Sequence, residues 1–182
     1  SDVQGRGYIG GNLKGGEFNS RTYAPTSVYD ELIVGGKTYD MAAEAALDDV
    51  ARTGATLVPP YDDVRTMAGQ GTIAVEILDQ LGAEPDLVVV PVGGGGCISG
   101  ITTFLAERTT TTSVLGVEPA GAAALVAALA NGAPVTLENV DQFVDGAAVA
   151  RVGTLPFTAL TAAGDMVSIT TVDEGAVCTA ML

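Results

Sequence analysis

The sequence has no histidine and no tryptophan, only two cysteines, Cys97 and Cys178, and only two lysines, Lys14 and Lys37. Each shortage excludes a class of chemistry. Without histidine there is no Ser-His-Asp or Cys-His hydrolase, no zinc held by Cys and His together, and none of the commonest metal ligand. Two cysteines without CxxC spacing make no disulfide framework and fit a reducing cytoplasm. Basic residues are scarce as well: 8 Lys and Arg stand against 22 Asp and Glu, a formal net charge of -14. Nucleic acids and anionic bilayers are bound by clustered Lys and Arg, so neither is expected as a partner. No apolar run reaches the about 18 residues that a membrane-spanning helix needs. The start, Ser1 to Arg6, lacks the basic-then-apolar order of a signal peptide.

What remains is a globular composition, 47% hydrophobic and 16% charged over 182 residues, enough for one domain or two small lobes. The first 35 residues are glycine-rich, and Tyr8-Ile9 and Glu31 to Val34 read as short strands. Thr38 is a plausible helix N-cap, with Ala43, Leu47 and Val50 at helical spacing up to about Arg52 and Gly54 as the stop. Ala55 to Val58 reads as a strand, and Pro59-Pro60-Tyr61-Asp62-Asp63 as a turn and a boundary between lobes. Beyond it, strands and helices alternate. A helix is expected over about 68–81, then a buried strand over Leu87 to Val90, with both faces covered. A helix follows over about 97–107 with Ile98, Ile101 and Leu105 on one face, then a strand over Val114 to Glu118. Ala122 to Ala130 reads as a helix and Met166 to Val172 as a strand, with Asp173 as the next N-cap. This order predicts an α/β fold, a parallel sheet with helices on both faces.

The sharpest feature is the run Gly93-Gly94-Gly95-Gly96 between a buried strand and a helix. Four glycines in a row lose much backbone entropy and offer nothing to pack. In return they let a ligand approach the main chain and let successive N–H groups converge on an anion, beside the positive end of a helix. The loop also lies at the carboxyl end of its strand, where open α/β sheets place ligands. No Lys or Arg flanks it, so backbone donors alone would hold the anion. A flexible connection without function is the alternative. Gly-Cys-Ile after the run is not the Gly-Lys-Ser/Thr of a P-loop. A dinucleotide reading survives weakly through Glu118, near the spacing of its acidic residue.

Val90 to Gly100 resembles the phosphate loop of the fold-type-II pyridoxal-phosphate (PLP) enzymes of the threonine dehydratase kind. The likeness extends to Arg52 to Asp63, to Gly69-Gln70-Gly71-Thr72 with Glu76-Ile77-Leu78, to Gly116 to Ala122, to Phe143 to Val149 and to Val172 to Cys178. It covers roughly residues 31–182; residues 1–30 fit poorly. The resemblance implies PLP as cofactor, with Gly93, Gly94, Gly95, Gly96 and Cys97 on its phosphate through backbone N–H groups and Gly146 beside its ring. An ordinary turn glycine is the alternative for Gly146. Glu118 matches a glutamate that some serine-acting relatives place on a divalent cation, but the companion carboxylate falls on Ala124, so no metal is expected. Glu118 reads equally as a solvated strand end.

The resemblance further implies an amino-acid substrate, with L-threonine, and also L-serine, dehydrated and deaminated to a 2-oxo acid and ammonia, and a homo-oligomer in the complete enzyme. Residues 1–58 would be part of a small lobe and 59–182 part of the cofactor-binding lobe. The family's Ser-Phe/Tyr-Lys-Arg-Gly segment, which carries the cofactor lysine, is missing, as are its Ser-Gly-Asn-His-Ala motif and its C-terminal Ser/Thr-Gly-Gly-Asn stretch. No catalytic residue is therefore assigned. The expectation is an incomplete fold-type-II domain that grips the cofactor and lacks the base. A non-catalytic phosphate-binding module and a remnant that folds only with a partner chain are the competing readings.

Overall fold

The computed structural model describes residues 8–10, 33–35, 39–109 and 111–181. The expected N-cap Thr38 and both lysines, Lys14 and Lys37, lie outside the described residues. The chain divides into two compact units, residues 1–57 and 58–182.

In the first unit, strands β1 (Tyr8–Gly10) and β2 (Ile33–Gly35) pair in parallel, Ile9 opposite Val34. Helix α1 (Tyr39–Thr53) follows. Its C-terminus is closed as the sequence suggests: Gly54, at φ 70°, donates its N–H to the Val50 carbonyl at 2.9 Å. Among the described side chains of α1, Ala46 and Asp49 are buried, whereas Leu47 is 56% exposed, so the apolar stripe is rotated from the one expected. Residues 55–58 form no strand.

The second unit holds a parallel sheet in the order β3 (Leu87–Pro91), β4 (Ser113–Pro119), β5 (Val167–Val172). Val90 stands opposite Gly116, and Gly116 opposite Ile169. Parallel strands need crossovers, and helices supply them: α3 (Gly96–Arg108) joins β3 to β4, and α4 (Ala124–Asn131) and α5 (Thr154–Ala162) lie between β4 and β5. Helix α2 (Val64–Leu81) precedes the sheet and α6 (Glu174–Ala180) follows it. The core joins Val88 and Val90 of β3, Val114 of β4, Ile98, Ile101 and Leu105 of α3, Leu125 of α4, Leu160 of α5 and Ala74 of α2. Each fully buried Leu or Ile of this set contributes roughly 1.5–3 kcal/mol.

Two expectations need correction here. The run Leu87 to Val90 is not covered on both faces: Val88 and Val90 are buried, while Leu87 and Val89 are 49% and 57% exposed. A continuous apolar run thus hides a period-2 alternation that sequence alone cannot display. Helix α2 also begins at Val64, earlier than its apolar pattern suggests, because the Asp63 carboxylate accepts the Arg65 N–H at 2.8 Å and so caps an extra first turn.

Helix α3 is pressed against α2 by small residues. A Cβ on Gly100 would stand 2.2 Å from the Met67 carbonyl oxygen, and one on Gly71 would stand 3.1 Å from the Gly100 carbonyl oxygen. Only glycine allows that approach, which fixes the position of α3 against α2.

Candidate anion-binding site at a strand-to-helix junction

The glycine run leaves β3 at the carboxyl edge of the sheet and turns directly into α3. Gly95 is the N-cap, in the left-handed region at φ 90°, which a residue with a Cβ adopts only under strain. A Cβ there would also stand 2.9 Å from Pro156 Cβ and 3.0 Å from Val152 Cγ2. The other glycines have steric reasons of their own. A Cβ on Gly94 or Gly96 would run into Tyr61, at 2.2 and 2.7 Å, and one on Gly93 would stand 3.2 Å from Ala147 Cα. The run of glycines is thus explained by the chain's own packing.

The orientation of the peptide groups is what sets this junction apart. The Gly94 carbonyl accepts the Gly153 N–H at 3.0 Å, and the Gly95 carbonyl accepts the Ser99 N–H at 3.0 Å. The Gly96 carbonyl accepts the Ser99 hydroxyl at 3.1 Å. In a trans peptide the N–H points opposite to the C=O, and no peptide of the described chain is cis. The N–H groups of Gly95, Gly96 and Cys97 are therefore turned away from Gly153 and from the body of α3. No side chain caps this helix, and none of these three amides meets an acceptor among the described residues.

Every other helix of the second unit receives a carboxylate at its N-terminus. Asp63 caps α2. Glu118 caps α4, accepting from Leu125 N at 2.7 Å and Val126 N at 2.9 Å. Asp62 caps α5, accepting from Thr154 N at 3.0 Å and Leu155 N at 2.8 Å. Asp173 caps α6 through Ala176 N at 2.9 Å. A helix N-terminus carries roughly half a positive charge and unsatisfied donors. Among these five helices only α3 keeps both unanswered.

Gly93 and the short turn Asp145–Ala147 are brought together, through the contact of Gly93 with Ala147. Gly146 itself is exposed, and a Cβ on it would meet nothing within 4 Å. Cys97 is half-buried, and burial pushes its thiol above the usual range, so the group is a neutral thiol near pH 7 and offers its main-chain N–H only. Glu118 is not a solvated strand end: it is fully buried, with both carboxylate oxygens engaged by α4. Burial pushes its carboxyl upward against the pull of the two amides. No group of three or more metal-ligating side chains is found among the described residues.

Three contributors escaped the sequence reading. Tyr61 lays its ring across Gly94, sets its Cβ and main chain against Gly96, and reaches the Arg151 carbonyl oxygen with its hydroxyl at 3.3 Å. Asp62 and Gly153 hold the far side of the loop. Helix α5 was itself missed, because its cap comes from 92 residues away in the chain and no local pattern announces it. An apolar cavity of about 260 Å³ lined by Leu125, Leu129, Leu160, Val167 and Ile169 lies elsewhere in the unit.

Comparison with known proteins bears on this geometry. The sequence model of the family described as "Pyridoxal-phosphate dependent enzyme" matches residues 20–182. The chain is 82% identical over 152 residues to a biosynthetic L-threonine dehydratase of Mycobacterium leprae, covering 84% of this chain and 36% of that protein. It therefore spans about a third of the length of such relatives. Among solved structures it is similar to the processed form of threonine deaminase isoform 2 from Solanum lycopersicum, at 40% identity and a TM-score of 0.70, covering 79% of this chain and 41% of that one. It is also similar to maize serine racemase, at 29% identity and a TM-score of 0.73, covering 83% and 45%.

Proposed function

Because the chain belongs to the family of pyridoxal-phosphate dependent enzymes, we propose that it is the phosphate-holding part of a threonine dehydratase, in which L-threonine, and also L-serine, loses water and ammonia to give a 2-oxo acid. The observation that carries this reading is the open N-terminus of α3 in a unit whose other helices are all capped by carboxylates. The donor set fits the cofactor's phosphate: main-chain N–H groups of Gly93, Gly94, Gly95, Gly96 and Cys97, with those of Gly95, Gly96 and Cys97 directed away from their own helix. Hydrogen bonds to a charged group are each worth about 1.5–3 kcal/mol, so a few suffice without any Lys or Arg. Gly146, exposed and without a neighbour on its Cβ side, is assigned to the edge of the cofactor ring. Bound there, the cofactor would supply an electron sink for negative charge at the substrate α-carbon.

The chain's own residues bind and orient, and none of those described is placed to move the substrate proton. The neutral Cys97 and the engaged Glu118 are unsuited to it. The base belongs to a lysine-bearing segment outside this sequence. Residues 1–58 are assigned to part of a small lobe, 59–182 to part of the cofactor-binding lobe, and the complete enzyme to a homo-oligomer. A serine racemase or serine dehydratase is the second reading, favoured by the likeness to maize serine racemase.

Titration of the 182-residue chain with PLP and with unphosphorylated pyridoxal over a salt series tests the assignment. PLP is expected to bind more tightly and with weak salt dependence, since fixed N–H donors release few counterions. Equal affinities would sink it. Alone, the chain is expected to produce no 2-oxo acid. Adding the lysine-bearing and C-terminal segments of a relative in trans should restore production from L-threonine. Racemisation of L-serine in its place would favour the second reading.

A further inference from the structure

Three segments distant in sequence meet behind the glycine loop: Tyr61-Asp62, Gly94 to Gly96, and Arg151 to Leu155. Asp62 is the hub. Its Oδ2 accepts the Thr154 N–H at 3.0 Å and its Oδ1 the Leu155 N–H at 2.8 Å. Gly153, immediately before these amides, has no room for a side chain, since a Cβ would stand 2.9 Å from Asp62 Cγ. Gly153 in turn donates its N–H to the Gly94 carbonyl at 3.0 Å. That bond sets the plane of the Gly94–Gly95 peptide and so the direction of the Gly95 N–H. The next peptide is set differently, by Ser99 within α3.

We propose that Asp62 is a positioning residue for the anion site: by capping α5 it places Gly153, and through Gly153 it aims the Gly95 N–H at the ligand. Asp62 touches no ligand itself. Its carboxylate is spent on α5, a helix that contributes no donor to the site, and its effect reaches the loop through one backbone hydrogen bond. The inference rests on the phosphate reading above.

The test compares three chains: unaltered, Asp62→Ala and Asp173→Ala. The last removes a cap of the same kind from α6 and controls for lost stability. Two readouts are needed, affinity for PLP against pyridoxal and hydrogen exchange at single amides. Asp62→Ala should weaken PLP by about tenfold, the worth of one cap, and leave pyridoxal unchanged. Exchange at the Gly153 N–H should quicken by a similar factor, with the Ser99 N–H unaffected. Asp62→Asn keeps one acceptor oxygen, so it should fall between the two, and it serves if Asp62→Ala fails to fold. Asp173→Ala should change neither readout. Equal losses in Asp62→Ala and Asp173→Ala, or unchanged Gly153 exchange in Asp62→Asn, would overturn the proposal while the phosphate reading stands. Failure of the unaltered chain to prefer PLP over pyridoxal would remove the phosphate reading, and this proposal with it.

Discussion

The β3–α3 and β4–α4 junctions are neighbours on the same edge of the same sheet, with Pro91 opposite Val117, and they treat the same electrostatic problem in opposite ways. At β4–α4 the chain supplies its own acceptor: Glu118, fully buried, accepts two amides of α4. At β3–α3 the chain supplies glycines, turns the amides outward and leaves them without an acceptor among the described residues. One junction is complete as folded, and the other is the one we propose a ligand completes. A candidate binding site can therefore be singled out by what a chain withholds in one place and provides at the neighbouring helices. The glycines alone would not have located it, since each has a packing neighbour that accounts for it.

The comparison is sharpest when broken on the closed side. Glu118→Ala would leave Leu125 N and Val126 N unsatisfied in a buried site and open a cavity. A loss of about 2–4 kcal/mol is expected in chemical denaturation, with any remaining folded protein still preferring PLP over pyridoxal. On the open side, Gly95→Ala forces a Cβ into the left-handed region and against Pro156. About 1–3 kcal/mol of stability should be lost, and the preference for PLP should vanish, as binding titrations would show.

The two junctions should also differ in pH response. Burial raises the Glu118 carboxyl above its ordinary 4.5, so the folded state holds that proton more tightly than the unfolded state does. Its contribution to stability is then fully present below pH 4.5 and falls as pH rises through the raised value. Denaturation of the unaltered chain and of Glu118→Gln across that window checks the sign. The unaltered chain should lose stability relative to the variant as pH increases, and the opposite slope would contradict the burial argument. The smallest effect belongs to a cap unconnected with the loop: Asp173→Ala should cost about 0.5–2 kcal/mol with no change in PLP affinity.

Much of this was legible in the sequence, and the reasons for the remainder are physical. The strand, glycine run and helix at Leu87 to Arg108 announce themselves because every signal there is local: an apolar run, glycines, then Ile98, Ile101 and Leu105 at helical spacing. The stops at Gly54, Gly82 and Gly132 are local too, each a glycine at positive φ closing a helix. Helix α5 was invisible because Asp62 caps it from across the fold. Glu118 was ambiguous because a carboxylate at a strand end looks the same in sequence whether water or a helix N-terminus receives it. Gly94 and Gly96 stand out in the sequence for an incomplete reason, since the residue that excludes their side chains is Tyr61, about 30 residues earlier and outside any local pattern.

The central claim, one helix N-terminus open and its neighbour closed, is tested most directly by amide resonances. An ¹⁵N-labelled 182-residue chain titrated with inorganic phosphate and then with PLP should show shifts at Gly95, Gly96 and Cys97 that saturate, with PLP effective at the lower concentration. Leu125 and Val126, already bonded to Glu118, should stay where they are. Unmoved glycine amides, or shifts at Leu125 and Val126 as large as those in the loop, would contradict the account.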